Sequence, residues 1–208
     1  MRLTKNEKIV FLLLTIIAIS SYFTGLDYII SDFIGTGFSV ELCLFFSYTY
    51  YFIYMVVVAI FFFIKDERAL LAFVLHIVII SIIHFSFTTF LPRVRPPMAS
   101  RSGPLLDEIY EHGYASSFPS GHAAIAVSGY TLFCETGLPR WSIFVAGFPI
   151  IFTRLLMNHH YLSDTIAGVL MGYLITKLLY SVFKKYHYKH FIVNKLKNIR
   201  KERKESQR

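Results

Sequence analysis

Apolar residues gather in six stretches, at about 9–24, 43–64, 69–90, 121–136, 142–158 and 163–183. A helix needs ~20 such residues to cross the hydrocarbon layer of a bilayer. The pattern therefore predicts an all-α fold, an integral membrane bundle of six transmembrane helices. The fourth and fifth stretches are short and rich in small residues. The first has a basic start in Arg2, Lys5 and Lys8, like a secretory signal, but no small-x-small cleavage site follows it. It is read as a retained span.

Composition agrees with this pattern. The chain is 55% hydrophobic and 16% charged over 208 residues, more apolar than a soluble domain of that length needs. Its formal net charge of +8 lies entirely in residues 184–208, where ten Lys and Arg face two Glu. The remainder sums to zero. The reading is a membrane domain over 1–183 and a basic cytoplasmic tail over 184–208, with no nucleic-acid-binding surface. Ile192, Leu196 and Ile199 share one helical face within the tail, a pattern that also suits an anionic inner leaflet. Cys43 and Cys134 sit in apolar stretches and are expected to be buried thiols without a disulfide.

Charge also sets an orientation. With the N-terminus inside, segments 1–8, 65–68, 137–141 and 184–208 hold three, two, one and ten of the 21 Lys and Arg. That satisfies the positive-inside rule and predicts a plasma (inner) membrane protein with both termini cytoplasmic. Arg93, Arg95, Arg101 and Arg154 are left toward the outer side. Tyr48, Tyr50, Tyr51 and Tyr54 are read as an interfacial belt with no chemistry. Gly168 and Gly172 form a GxxxG in the last span, expected to allow close helix packing.

Three predicted outer segments collect the unusual polar residues: LPRVRPP (91–97), FPSGH (118–122) and TRLLMNHHYLSD (153–164). In the second, Pro119, Ser120 and Gly121 suit a helix start, whose free N–H groups favour an anion. His122 places a proton donor beside it. In the third, His160 and Asp164 are four apart. On a helical turn the carboxylate would accept from one ring nitrogen and leave the other as a nucleophile, whereas His159 would point about 100° away. Burying Arg154 in a span costs ~2.5–3.5 kcal/mol on insertion scales. Charge-assisted hydrogen bonds to a bound anion, each contributing ~1.5–3 kcal/mol, offset that cost. Arg95, stiffened by Pro96 and Pro97, is the natural second clamp.

Taken in order, these segments resemble the type 2 phosphatidic acid phosphatase family, which shares its site with vanadium haloperoxidases. The family pattern is Lys-x6-Arg-Pro, then Pro-Ser-Gly-His, then Ser-Arg-x5-His-x3-Asp. Arg95-Pro96, Pro119-Ser120-Gly121-His122 and Arg154-x5-His160-x3-Asp164 fit it, over about residues 69–183. Two positions depart: Thr88 stands at the family lysine and Thr153 at the family serine. Arg93 swinging in, or Thr88 donating a weaker hydrogen bond, would supply the missing contact. His84, one turn before Thr88, is read as a core or interface residue.

The resemblance implies roles for these residues. His160 attacks phosphorus and forms a phosphohistidine. Asp164 holds its tautomer. His122 protonates the leaving oxygen and then activates water. Arg95, Arg154, Ser120 and the N–H of Gly121 surround the phosphate oxygens, with Thr88 and Arg93 as supporting contacts. No metal or other cofactor is expected, because no carboxylate cluster or Cys/His spacing suits Mg²⁺ or Zn²⁺. The partners implied are the bilayer and a lipid phosphate: polyprenyl diphosphate, phosphatidylglycerol phosphate, phosphatidic acid or a lipid A type. The loop 103–115 is expected to rest on the interface through Leu105, Leu106, Ile109 and Tyr110. Two alternatives remain open at this point: a lipid-to-lipid phosphotransferase and a non-catalytic lipid or anion carrier. The apolar spans argue against a soluble haloperoxidase.

Overall fold

A computed structural model describes residues 3–34, 40–90, 93–96, 116–137 and 140–205, with backbone alone for 40, 43, 88, 140–145 and 187–205. These residues form helices and connecting loops, with no strand among them. Helix α1 spans Lys5–Thr24 and opens with a capping box: the Thr4 hydroxyl accepts from the Glu7 N–H, and the Glu7 carboxylate accepts from the Thr4 N–H. It ends at Gly25, whose φ of 75° is the left-handed cap that glycine adopts without strain. Helix α2, Leu26–Ile34, follows directly. Helix α3, Val40–Leu44, leads through a π-helical turn at Phe45–Tyr50 into α4, Tyr51–Lys65. Then come α5 (Glu67–Phe90), α6 (Gly121–Glu135), α7 (Arg140–Leu156) and α8 (Leu162–Glu205).

Each predicted apolar stretch is helical. Among the described residues, four helical segments are long and apolar enough to cross a membrane: Lys5–Thr24, Phe45–Lys65, Glu67–Phe87 and Leu162–Tyr186. Helices α6 and α7 have 15 and 17 residues. At 1.5 Å per residue they reach roughly 22 and 26 Å, short of a ~30 Å hydrocarbon layer. Helix α2 is absent from the sequence expectation. Nine residues are too few to register as a span, and Asp27 and Ser31 break the apolar run on one face.

Helix α6 runs through the centre of the bundle. Ala123, Ala124 and Ala126 are buried along it, and their small side chains admit the neighbouring backbones. On α8, a Cβ at Gly168 would stand 2.3 Å from the Ser120 carbonyl oxygen, and one at Gly172 would stand 2.4 Å from that of Ala124. The glycine pair packs α8 directly onto α6, as small-xxx-small spacing allows. Tyr54 is buried here rather than interfacial, donating its hydroxyl to the Ala126 carbonyl at 2.7 Å. Around this centre pack Val58, Phe62, Phe73, Leu132 and Ile150. Leu12, Ile16 and Phe23 of α1 point outward, the arrangement of a chain whose solvent is lipid.

The two ends of the bundle carry different groups. At one end Lys177 pairs with Glu7 at 2.7 Å and Glu135 at 3.4 Å, and Tyr180 donates to Asp66 at 3.0 Å. Asp66 separates α4 from α5 and pairs with Arg68. Its carboxyl is held below the usual range: hydrogen bonds from Arg68 and Tyr180 outweigh its partial burial. The other end holds the three motif segments. Cys134 is a free, half-buried thiol, and the Cys43 side chain lies outside the described residues.

Candidate active site

Backbone hydrogen bonds hold the motif segments together. The Ser117 N–H donates to the Arg93 carbonyl at 2.8 Å, and the Arg93 N–H donates to Ser116 Oγ at 3.1 Å. The Ser120 N–H donates to the Asp164 carbonyl at 3.1 Å, setting the start of α6 on the start of α8. The missing side chain at Gly168 makes that approach possible.

His160 lies in the loop between α7 and α8 and is buried. Its Nδ1 stands 2.6 Å from the Ser117 carbonyl oxygen. A carbonyl only accepts, so Nδ1 carries the proton and Nε2 keeps its lone pair. Burial, then the guanidinium charges of Arg154 and Arg95, push the imidazole pKa well below the ordinary value, although the Ser117 carbonyl works the other way. The group is a neutral imidazole with a defined tautomer, the state a nucleophile needs.

Asp164 was expected to hold that ring directly. It does not. Helix α8 begins at Leu162, so His160 precedes it and the four-residue helical geometry never forms. The Asp164 carboxylate instead accepts from the Tyr161 N–H at 2.9 Å, from the Ser117 hydroxyl and from Arg93. Ser117 is the link: its hydroxyl meets Asp164 while its carbonyl meets His160.

Arg93 is a second correction. As a replacement phosphate clamp it would have to be available to an anion. It is ion-paired with both Asp27 and Asp164, at 2.9 Å to the former, and donates to Ser163 Oγ at 2.7 Å. The rings of Tyr22 and Tyr161 lie against its guanidinium, at 4.7 and 4.4 Å. Two buried carboxylates claim the charge that a substrate would have needed.

The remaining predicted residues take these places. Arg154 is buried in the last turn of α7, and its Nη2 meets His159 Nδ1. His159 is the side chain the sequence set aside, and it accepts from this arginine. Burial, then Arg154, Arg95 and His122, push its pKa down to about 2, which keeps it a neutral acceptor. Arg95 is half-buried and close enough for its charge to act on His159 and His160. Ser120 occupies the cap position of α6 but makes no side-chain cap bond. Its hydroxyl is fully buried and has no hydrogen-bond partner among the described residues. Gly121 and His122 are the first two residues of α6.

The His122 ring packs on Tyr51, with centroids 4.2 Å apart. Tyr51 thereby leaves the interfacial belt predicted for it and becomes part of the site's wall. His84 Nδ1 lies 3.3 Å from the Pro119 carbonyl, against the same loop. The Thr88 side chain and the whole of 97–115, including Leu105, Leu106, Ile109 and Tyr110, lie outside the described residues. Among the described residues, no group of three or more His, Cys, Asp or Glu is placed to hold a metal ion.

The order of these segments, and the burial of Arg154, His159 and His160 among them, can be compared with known proteins. A model of the PAP2 superfamily matches residues 69–188, more than half of the chain. The chain belongs to the PAP2 superfamily. Two solved structures share the fold of this PAP2 protein. One is Aquifex aeolicus LpxE, 22% identical, with a TM-score of 0.55 over 72% of this chain and 91% of that one. The other is a PAP2-type phosphatidylglycerolphosphate phosphatase from Bacillus subtilis, 17% identical, with a TM-score of 0.59 over 85% of this chain and 94% of that one. A search of curated proteins gives no match. The family match begins at Ala69, so Asp27 and Tyr51 reach the site from outside the matched segment.

Proposed function

We propose that this PAP2 protein is a membrane-embedded, metal-independent lipid phosphatase that works through a phosphohistidine. One observation carries the reading: a neutral imidazole with a fixed tautomer, His160, lies within the fields of Arg154 and Arg95 at the end of the bundle where α6 begins. In the first step the His160 Nε2 lone pair attacks phosphorus, the bond from phosphorus to the lipid oxygen breaks, and His122 gives that oxygen its proton. In the second, His122 takes a proton from water, the water oxygen attacks, and the phosphorus–nitrogen bond breaks. Inorganic phosphate leaves and both histidines return to their starting states.

Arg95, Arg154, the Ser120 hydroxyl and the Gly121 N–H stabilise the oxygens of the transferring group. Electrostatic stabilisation is the main demand of phosphoryl transfer, and guanidinium groups meet it without a metal ion. Helices α6 and α7 complete a six-helix bundle with the four long spans. The site faces the outer leaflet, where a lipid enters sideways with its tails in the membrane. The substrate class is a lipid monophosphate or diphosphate. The similarity to a phosphatidylglycerolphosphate phosphatase makes that class the first to assay.

The test is phosphate release from short-chain lipid phosphates by detergent-solubilised protein. Wild type should turn over equally with and without EDTA. His160→Ala should lose release while keeping the wild-type melting temperature. Loss of turnover with chelator overturns the metal-free scheme. Equal activity of the two proteins overturns the role of His160.

A further inference from the structure

The network around Arg93 reaches further than the residues that touch phosphate. Asp27, on α2, is buried, and its carboxylate accepts from Arg93 Nη2 at 2.9 Å, from the Ser163 N–H at 3.0 Å and from the Ser163 hydroxyl. Arg93 Nη1 continues to Asp164, Asp164 to the Ser117 hydroxyl, and the Ser117 carbonyl to His160 Nδ1. Five side chains or backbone groups from four parts of the chain thus form one unbroken series that ends on a single ring nitrogen. Two carboxylates and one guanidinium in a buried setting are costly unless each is held in place. A fork with two parallel donors is the group suited to bridging two acceptors.

We infer that Asp27 and Arg93 are positioning residues for His160, an assignment that rests on reading His160 as the nucleophile. Asp27 fixes the guanidinium, the guanidinium fixes the Asp164 carboxylate, and that carboxylate fixes Ser117. The Ser117 carbonyl then keeps the His160 proton on Nδ1 and the lone pair aimed at phosphorus. Helix α2 is therefore a working part of the site although it precedes the family match. Its other buried polar residue, Ser31, is tied to the same region by a 3.1 Å bond to Asn158 Oδ1.

Two variants test this. Asp27→Asn keeps the shape and removes the charge. Arg93→Lys keeps the charge and removes the fork, and it carries the test if Asp27→Asn does not fold. Each should lower kcat by about 10- to 100-fold, by analogy with the loss when hydrogen-bond partners that orient metal-bound side chains are removed, with KM within about twofold of wild type. The ¹⁵N spectrum of histidine-labelled protein, with His160 assigned from His160→Gln, needs no substrate. Wild type should show His160 as the Nδ1–H tautomer, and both variants should show a mixture. A raised KM at unchanged kcat overturns the inference and makes Arg93 a phosphate ligand. Unchanged rates with an unchanged tautomer overturn it as well, leaving a purely structural tie. If wild type releases phosphate from no lipid phosphate, the proposed function fails, and the tautomer comparison still decides the inference: a retained Nδ1–H tautomer overturns it and a mixture upholds it.

Discussion

At the scale of single residues, the site turns on where protons reside. His160 is neutral because burial and two nearby guanidinium charges disfavour its cation. In the proposed mechanism the neutral form is the nucleophile, and its fraction falls as pH drops through the folded pKa, which lies below the ordinary value. The acid limb of the pH–rate profile should therefore fall below about 6.5, the unperturbed histidine value. Arg95→Gln removes one of the opposing charges. It should lower the rate and move that limb to higher pH, read from kcat/KM between pH 4 and 8. A limb at or above 6.5 in wild type, or one unmoved by Arg95→Gln, counts against this account. The residues legible from sequence were those whose charge was out of place in an apolar run: Arg154, His160, Asp164 and His122. His159 and Ser117 were not. One acts by accepting from an arginine five residues back in sequence, the other through its carbonyl, and neither role leaves a mark in residue type or spacing. Arg93 was visible but misassigned, because its partner Asp27 lies 66 positions away.

At the scale of helices, the site depends on how closely α8 approaches α6. The sequence showed the GxxxG and the structure gives it a destination: Gly168 over the Ser120 carbonyl and Gly172 over that of Ala124. Both opposing atoms are backbone, so no rotamer change relieves an added side chain. Gly172→Val should destabilise by about 1–3 kcal/mol, the usual cost of overpacking, and should lower activity by displacing the start of α6. Thermal unfolding in detergent alongside phosphate release checks both effects, and a wild-type melting temperature would show that the helices are further apart. Six helix positions were legible because apolar runs of this length have one stable form in lipid. The exact start of α8 was not. Tyr161 and Asp164 close that end through the carboxylate–N–H bond, and the assumed helical turn at His160 was lost with it. Helix α2 escaped notice because its polar face, Asp27 and Ser31, is satisfied by residues far along the chain: Arg93, Asn158 and Ser163.

For the whole molecule the open variable is which face of the membrane the site occupies. Four spans would put the two termini on the same side, and so would the proposed six with α6 and α7 counted, since both numbers are even. The ion pairs agree: Glu7, near the N-terminus, meets Lys177 at the end of the bundle away from His160. Segments 1–8, 65–68, 137–141 and 184–208 hold sixteen of the 21 Lys and Arg. Positive segments resist translocation, so in the proposed orientation this end is cytoplasmic and the histidines face outward. Single-cysteine labelling tests this on the intact chain. In a Cys43→Ser, Cys134→Ser background, Ser102→Cys should react with a membrane-impermeant maleimide on intact cells. Ser206→Cys should react only after permeabilisation. The reverse pattern would put the arginines and histidines on the cytoplasmic leaflet, and the proposed substrates would then have to be lipid phosphates of the inner face.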